Sequence, residues 1–290
     1  MQKIHKNSSS ENHRNIYHIN KVKVLTTIRK YQVVSRSEIV KKTGISAPTV
    51  TRKVDDLISK ENLVKQTGIG ESNGGRPPKF VQFNGENNFV IGIDWGRTHI
   101  YAAIADLNAN ILLEIDTPSI AHQEFNKDLS SLISIIDYLI KESKVEKDKI
   151  LGIGIAAAGF INKKGIVEYS PIFNWKNVDI TNPLKDAFNM PVIINNVVRV
   201  MAIGELYYGS HNIDDFIFVN IGYGIGAGII SKGRALSGYD GISGEFGHTR
   251  VFSEKSDLLR CGCGKFNCLE CFASGWGIEY IAKKRINHHP

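Results

Sequence analysis

The chain has few cysteines and no long apolar segment. Four of its 290 residues are cysteine, which does not favour a small secreted fold held together by disulfides. The N-terminus, Met-Gln-Lys-Ile-His-Lys, lacks the apolar core of a secretory leader. No run of about 18 apolar residues is present to cross a bilayer. We therefore expect a cytoplasmic protein with no membrane partner, whose thiols stay reduced.

Acidic residues are scarce at one end of the chain. Residues 1–85 carry 16 Lys and Arg against 6 Asp and Glu, a net charge of +10, whereas the remainder carries 20 against 23, a net −3. With 42% hydrophobic residues, the chain can bury a core and is long enough for two or more domains. A basic module joined to a near-neutral body indicates a polyanionic partner for that module alone. A merely solvated basic face is the alternative.

Residues 20–85 have the pattern of a winged helix-turn-helix, and we expect residues 1–19 to precede it as a flexible tail. A short second helix over 37–43 ends at Gly44, and Ser46 is a good N-cap for a third helix that runs to about residue 60. The first helix is predicted from an apolar stripe at Val22, Leu25, Ile28 and Tyr31.

The third helix and the wing after it predict contacts to a double-stranded DNA operator. In helix-turn-helix proteins the N-terminal part of this helix enters the major groove. The wing spans 63–83, and its proline-stiffened tip carries Arg76 and Lys79, which can reach phosphate or a narrow minor groove. A plain linker at this tip and a helical protein-interaction module are the alternatives. The outward face of the helix predicts DNA contacts from Ser46, Ala47, Thr49, Thr51, Arg52 and Lys53.

Three cysteines lie close together downstream of a histidine. Cys261, Cys263 and Cys268 follow His248, and one His with three Cys is a standard ligand set for structural Zn²⁺. Glycines at 262 and 264 leave room for the backbone to fold tightly around an ion. We expect a structural zinc here, with a disulfide or scattered thiols as the alternative. Cys271 is left over, and we expect it to be a buried apolar residue.

From Phe89 onward, buried strands end in polar or glycine-rich turns. One strand ends in Asp94-Trp-Gly96-Arg-Thr98 and a later one in Gly222-Tyr-Gly224. Both kinds of turn can cradle nucleotide phosphate, although either turn alone is a weak sequence signal for a phosphate site. Their order predicts an α/β protein with two related lobes of the actin-like and sugar-kinase type. The further predicted segments are strands over 100–105, 111–116, 150–156 and 191–195, and helices over 129–143, 183–189 and 277–286.

These motifs together resemble the ROK family of repressors, open reading frames and sugar kinases. The likeness runs from about residue 20 and rests most on Gly-Glu-Phe-Gly-His and Cys-Gly-Cys-Gly-x-x-x-Cys-Leu-Glu. The domain order is similar to the repressor branch, such as xylose and N-acetylglucosamine repressors. The resemblance implies an N-terminal winged helix-turn-helix followed, over 86–290, by an actin-like, sugar-kinase-like (ribonuclease H-like) two-lobe domain.

The resemblance also implies a ligand and an assembly. A small sugar effector would lie between the lobes, with its hydroxyls held by Asn196, Glu245, His248 and Glu270. The zinc would fix the loop that carries these groups. Plain surface charge is the alternative for the two glutamates. A homodimer or higher homo-oligomer is implied as well.

The chain departs from the ROK kinase pattern at the reacting end of this pocket. The kinases place an aspartate, their general base, directly after the asparagine that matches Asn196. Here that position is Val197, which cannot accept a proton. Arg97 replaces a glycine and Tyr223 a small hydroxyl residue. We therefore expect no catalytic residue, and vestigial phosphate-binding positions at Asp94, Gly96, Thr98, Gly222 and Gly224.

The sequence thus favours a sugar-responsive repressor of sugar-utilisation genes without kinase activity. A sugar kinase with an appended DNA-binding module is the main alternative, and a repressor that answers to no small molecule, or a degenerate fragment, is another. ROK members continue beyond the metal motif with helices that complete the second lobe. Since the sequence stops at Pro290, we expect a truncated chain with an incomplete second lobe.

Overall fold

The computed structural model describes residues 4–69, 77–119, 125–211, 213–251 and 259–287. It divides into two compact units. One comprises Met1–Asn88 with Asp106–Asn108, and the other comprises Phe89–Ala105 with Ala109–Pro290. Within the ranges described, no helix combines the length and the apolar character that crossing a membrane requires.

The first unit packs helices against a small antiparallel sheet. In chain order its elements are α1 (Ile4–Tyr31), β1 (Val33–Ser35), α2 (Arg36–Thr43), α3 (Ala47–Ser59), β2 (Val64–Ile69) and β3 (Lys79–Phe83). The sheet has the strand order β1-β3-β2. Its core consists of the buried side chains of Val24, Ile28, Val34, Ile39, Val50, Val54, Leu57, Val64 and Val81.

Local signals set the ends of α2 and α3. The hydroxyl of Ser35 accepts the N–H of Glu38 at 3.3 Å, and the Glu38 carboxylate accepts the N–H of Ser35 at 2.8 Å, which forms a capping box. Gly44 ends α2 with a φ of 68°, a conformation that favours glycine. Ser46 occupies the N-cap of α3, but its hydroxyl donates to Thr49 Oγ1 at 3.0 Å instead of capping the backbone. The predicted positions of both helices are confirmed.

Two predictions for α1 are wrong. The helix begins at Ile4, so residues 4–19 are helical and not a tail. Contacts to the end of α3 and the residues after it hold the middle of α1, since Tyr17 donates to Asp56 at 2.8 Å and Lys21 pairs with Glu61 at 2.8 Å. The predicted apolar stripe also has the wrong register, because Val24 is buried with Ile28 whereas Val22 and Tyr31 are exposed.

Lys53 lies on the inner side of α3, not on the outward face where we predicted it. Positions 50, 53, 54 and 57 share one face of a helix, and that face enters the core. The Lys53 side chain is 0% exposed, and its ammonium lies over the ring of Tyr17. The Nζ has no hydrogen-bond partner in the described part of the chain. Burial is the main reason that its pKa falls to about 8.

The second unit is a mixed α/β structure. Its bounds are β4 (Phe89–Trp95), β5 (His99–Asp106), β6 (Ile111–Pro118), α4 (Phe125–Glu142), β7 (Ile150–Ala157), β8 (Phe160–Ile161), β9 (Ile166–Ser170), β10 (Trp175–Asp179), α5 (Thr181–Phe188), β11 (Val192–Asn196), α6 (Val197–Tyr208), β12 (Phe216–Ile221), β13 (Ile225–Ser231), β14 (Arg234–Ala235), α7 (Glu270–Ala273) and α8 (Gly275–Asn287).

Among the residues that the structure describes, three sheets organise this unit. The largest has the order β11-β7-β4-β5-β6, with β4, β7 and β11 parallel. A separate antiparallel sheet has the order β12-β13-β14. We expected the second lobe to repeat the first, but this sheet has three strands where the large sheet has five. The predicted strands and helices are present with bounds shifted by a few residues. The small sheet β10-β9-β8 was not predicted, because its strands are too short to show a clear alternation.

The parallel strands bring polar groups to one edge of the large sheet. Asp94 lies opposite Ala156, and Asn196 lies opposite Ala157. In α/β sheets, ligands bind outside the carboxyl ends of parallel strands. The fold therefore places two of the predicted site residues at the expected edge.

Candidate functional site

One histidine and three cysteines form a compact cluster. The ligand atoms of His248, Cys261, Cys263 and Cys268 all lie within 4.8 Å of one another. The Cys261 Sγ is 3.4 Å from His248 Nδ1, and the Cys263 Sγ is 3.7 Å from the Cys268 Sγ. The cysteines are free thiols and form no disulfide. The donor set fits a metal ion, because soft sulfur and imidazole ligands converge on one point.

Tight turns hold these four ligands. Gly264 has a φ of 86° and donates its N–H to the Cys261 carbonyl at 2.9 Å. Leu269, directly after Cys268, donates its N–H to the Thr249 carbonyl at 2.8 Å. This bond ties the cysteine segment to the segment that carries His248. Burial raises the pKa of the Cys261 and Cys268 thiols. A metal bound here would therefore have to displace protons from these thiols. The fourth cysteine, Cys271, is buried as predicted.

Asn196 is held at the junction of β11 and α6. Its Oδ1 caps the helix by accepting the N–H of Val198 at 2.9 Å. Its Nδ2 donates to the Gly159 carbonyl at 3.2 Å and lies 3.5 Å from Glu245 Oε1. The side chain is therefore fixed in direction beside a carboxylate.

Glu245 lies between the asparagine and the metal cluster. Its Oε2 is 3.7 Å from His248 Nε2. The preceding Gly244 has a φ of 93°, and a side chain there would collide with the carbonyl of Ala227. Burial raises the pKa of Glu245 to about 7, with Arg199 opposing the effect and Glu270 adding to it. Glu245 is therefore a largely enclosed carboxylate whose charge is poorly solvated.

Glu270 faces the same space from the start of α7. Its Oε2 accepts the N–H of Ile225 at 2.9 Å, and its Oε1 is 3.9 Å from the Cys261 Sγ. Gly224 permits this approach, because a Cβ there would lie 2.7 Å from the same Oε2. The glycine-rich turn before β13 thus serves to seat a carboxylate.

All four predicted sugar-binding residues line one cavity of about 560 Å³. Asp94, Gly96 and Gly224 of the predicted phosphate motifs line it as well, whereas Thr98 and Gly222 do not. Desolvation raises the pKa of Asp94. The remaining walls are largely apolar, with Phe160, Pro171, Ile172, Val197, Val198, Met201, Ile225 and Trp276, and they also include Arg97, Asn220, Tyr223 and Arg260. A concave site with a few convergent polar groups suits a small polar ligand.

The departures from the phosphate motifs meet inside this cavity. The Arg97 guanidinium carbon lies 4.2 Å from the centre of the Tyr223 ring, and a guanidinium nitrogen hydrogen-bonds the Tyr223 hydroxyl. The Gly222 carbonyl next to this tyrosine accepts the N–H of Gly275 at 2.8 Å, which anchors the turn to α8. Two large side chains therefore meet in this cavity, in place of the glycine and the small hydroxyl residue of the phosphate motifs.

Comparison with known proteins identifies the family of this chain. Residues 90–289 match the model of the ROK family. The chain belongs to the ROK family. A xylose repressor from Caldicellulosiruptor bescii is 34% identical over 277 residues, which cover 95% of this chain and 68% of that protein. The chain thus spans about two thirds of that relative's length.

Solved ROK structures resemble this chain over different extents. The crystal structure of a ROK family transcriptional regulator, a homologue of the Escherichia coli MLC protein, has a TM-score of 0.77 and 27% identity, covering 95% of this chain and 69% of that one. A ROK glucokinase from Streptomyces griseus, solved with glucose and AMPPNP, has a TM-score of 0.60 and 29% identity, covering 70% and 62%. The likeness to the regulator is therefore the more extensive of the two.

Arg199 is a residue of this ROK domain that the sequence analysis missed. Its side chain is 4% exposed, and it donates to Asn195 Oδ1 at 2.6 Å and to the Gly241 carbonyl at 2.7 Å. Desolvation lowers its pKa, and Glu245 opposes that effect. A lone arginine among the apolar residues of α6 was the available signal, since such a residue needs buried partners.

The predicted DNA-contacting residues of the first unit are mostly, but not all, accessible. Ser46, Ala47, Thr51, Arg52 and Lys79 are exposed and Thr49 is half-buried. Lys53 is the exception described above. Arg76 lies outside the described residues, with the rest of the wing tip.

Proposed function

We propose that this chain is a sugar-responsive transcriptional repressor whose first unit is a winged helix-turn-helix. The α2–α3 pair with its tight glycine turn, and the strands β2 and β3 after it, support that assignment. In this arrangement α3 lies in the major groove of an operator, with Ser46, Ala47, Thr49, Thr51 and Arg52 facing the bases and phosphates. Arg76 and Lys79 of the wing reach the flanking backbone. Lys53 is not part of this surface, because it is buried.

The four-ligand cluster is proposed as a structural zinc site. Three thiolates and one imidazole complete a tetrahedral set, as closed structural zinc sites require. The zinc supplies rigidity to the loop when bound. His248 Nδ1, the nitrogen nearer to Cys261, faces the metal side, and Nε2 faces Glu245. A ligand imidazole with its other nitrogen beside a carboxylate is a common arrangement that fixes ring orientation.

The cavity is proposed as the sugar site. Asn196, Glu245, His248 and Glu270 offer both donors and acceptors to vicinal hydroxyls, which themselves donate and accept. A volume of about 560 Å³ is within the usual range for small-ligand sites. Trp276, also in the lining, offers an apolar face and a spectroscopic reporter.

We propose that the bound sugar is recognised without being phosphorylated. The single observation that carries this is Val197 at the first position of α6, lining the cavity where a proton acceptor is needed. Arg97 with Tyr223 fills the place of the nucleotide phosphates in this proposal. A ROK sugar kinase carrying a DNA-binding module is the second candidate, since Asp94 and Gly224 still line the cavity.

In this proposal the repressor is a cytoplasmic homodimer that binds a palindromic operator. Sugar binding controls DNA binding by favouring one of two conformations of that dimer. A thermal-shift screen of pentoses, hexoses and N-acetylated hexoses tests the sugar site, and sedimentation tests the dimer. Fluorescence anisotropy on a duplex selected from a random-sequence pool tests the DNA surface.

In that assay Arg52→Ala should weaken binding by about tenfold, and changes at Arg76 should lower the salt dependence. Lys176→Ala, an exposed change in the second unit, serves as control. The proposed docking of α3 and the wing is wrong if Arg52→Ala and the changes at Arg76 both leave DNA affinity and its salt dependence unchanged.

A further inference from the structure

A second cavity opens at the edge strand of the large sheet. Its volume is about 340 Å³, and its walls come from the β8–β9 turn, α5, β11, α6 and residues 237–241. It shares no lining residue with the cavity assigned to the sugar. Nothing in the proposed function uses it.

The lining of this cavity is cationic. Lys163 and Lys164 stand together in the β8–β9 turn, Lys185 comes from α5, and Arg199 from α6. No aspartate or glutamate is among the lining residues. The other polar members include Asn195, which can share hydrogen bonds with a ligand. Low-dielectric walls with charge of one sign concentrate ions of the opposite sign.

Arg199 gives the site a built element that surface lysines alone would not supply. Arg199 is 4% exposed, and two of its partners, Asn195 and Gly241, also line the cavity. Its Nε has no hydrogen-bond partner in the described part of the chain. A guanidinium in the wall of a cationic cavity favours an oxyanion, since charge-assisted hydrogen bonds to phosphate are among the strong ones.

We propose that this cavity binds a small metabolite that carries a phosphate group. The lysines neutralise the phosphate, Arg199 stands at the inner wall, and the volume leaves room for a short carbon skeleton beside it. Asn195, Thr181 and Ser237 also line the cavity, and in this proposal they accept from or donate to its hydroxyls.

Arg199 also links this cavity to the sugar site. Its Nη2 contacts the carbonyls of Gly241 and Ser243, and Glu245 follows two residues later. A phosphate that attracts the guanidinium therefore acts on the segment that positions Glu245. This coupling, which rests on the proposed function, should change sugar affinity by about fivefold or more, and sugar should change anion affinity by the same factor.

Isothermal titration of the full chain with glycerol 3-phosphate tests the proposal, with inorganic phosphate and glycerol as comparisons. Lys164→Gln/Lys185→Gln should weaken binding of glycerol 3-phosphate about tenfold. The matched control Lys127→Gln/Lys176→Gln, which removes two exposed lysines elsewhere, should leave it unchanged. Inorganic phosphate binding as tightly as glycerol 3-phosphate would mean that the phosphate alone is recognised.

Absence of binding, equal loss in both double variants, or equal binding of glycerol would overturn the site. Glu245→Gln separates this proposal from the sugar site. The Glu245→Gln variant should still bind glycerol 3-phosphate. That result is expected whether or not the chain binds any sugar.

Discussion

Replacing Lys53 with methionine tests the inward orientation of this residue. The buried ammonium has a pKa of about 8, and the ordinary value is about 10.4. One pKa unit corresponds to about 1.4 kcal/mol, so keeping the charge costs up to about 3 kcal/mol, which the contact with the Tyr17 ring offsets in part. Methionine fills a similar space without a charge. We expect Lys53→Met to stabilise the first unit by about 2 kcal/mol at pH 7.

The gain should depend on pH in a defined direction. Below pH 8 the lysine is protonated in both the folded and the unfolded chain, so the folded state carries the full cost of the buried charge. Between about pH 8 and 10.4 only the unfolded chain keeps the proton, and the stability contributed by this residue rises with pH. The advantage of Lys53→Met over the natural chain should therefore shrink as pH rises through that window.

Pulse proteolysis in urea, with peptides of the first unit quantified by mass spectrometry, measures this stability at pH 7 and pH 9.5. Tryptophan fluorescence would not report on it, because Trp95, Trp175 and Trp276 all lie in the second unit. Lys41→Met, at an exposed position of α2, is the matched control and should change little. The reasoning is refuted if Lys53→Met lowers stability at pH 7, or if it weakens DNA binding as much as Arg52→Ala.

The other predictions concern the second unit. Glu245→Gln should weaken sugar binding by about 10- to 100-fold, because a charge-assisted hydrogen bond is lost. Quenching of Trp276 fluorescence would measure the sugar affinity, and an unchanged affinity would remove Glu245 from the site. Metal analysis should find one zinc per chain, lost in Cys268→Ser but retained in Cys271→Ser, and equal loss or equal retention would contradict the ligand set. Arg97→Gly/Tyr223→Thr should gain measurable affinity for a non-hydrolysable ATP analogue, and no gain would mean that these two side chains do not block the nucleotide.

The sequence was sufficient for the main elements of both units because their signals are local. The capping serine, the glycine that ends α2 and the alternation of buried strands each act within a few residues. The metal cluster was also predictable, since its four ligands are chemically unusual and closely spaced. The sugar-site residues came from the resemblance to the ROK family, and strand order accounts for only part of the cavity, because it brings Asp94 and Asn196 to the same edge of the sheet.

The failures concern properties that depend on packing between distant segments. Lys53 was placed outward because lysine is rarely buried, and only the contact of α1 with α3 encloses it. Arg199 was missed because two of its partners, the carbonyls of Gly241 and Ser243, lie 42 and 44 residues away along the chain. The meeting of Arg97 with Tyr223 likewise depends on how two turns 126 residues apart approach each other.

The central claim is that sugar controls DNA binding without phosphoryl transfer. It is tested most directly by fluorescence anisotropy of the selected duplex during titration with each sugar that stabilises the chain, with and without Mg²⁺-ATP, while ADP formation is followed in the same sample. We predict that at least one sugar releases the DNA at the same concentration in both conditions, with no ADP formed above the protein-free rate. Sugar-dependent ADP production, or release that requires ATP, would contradict the account.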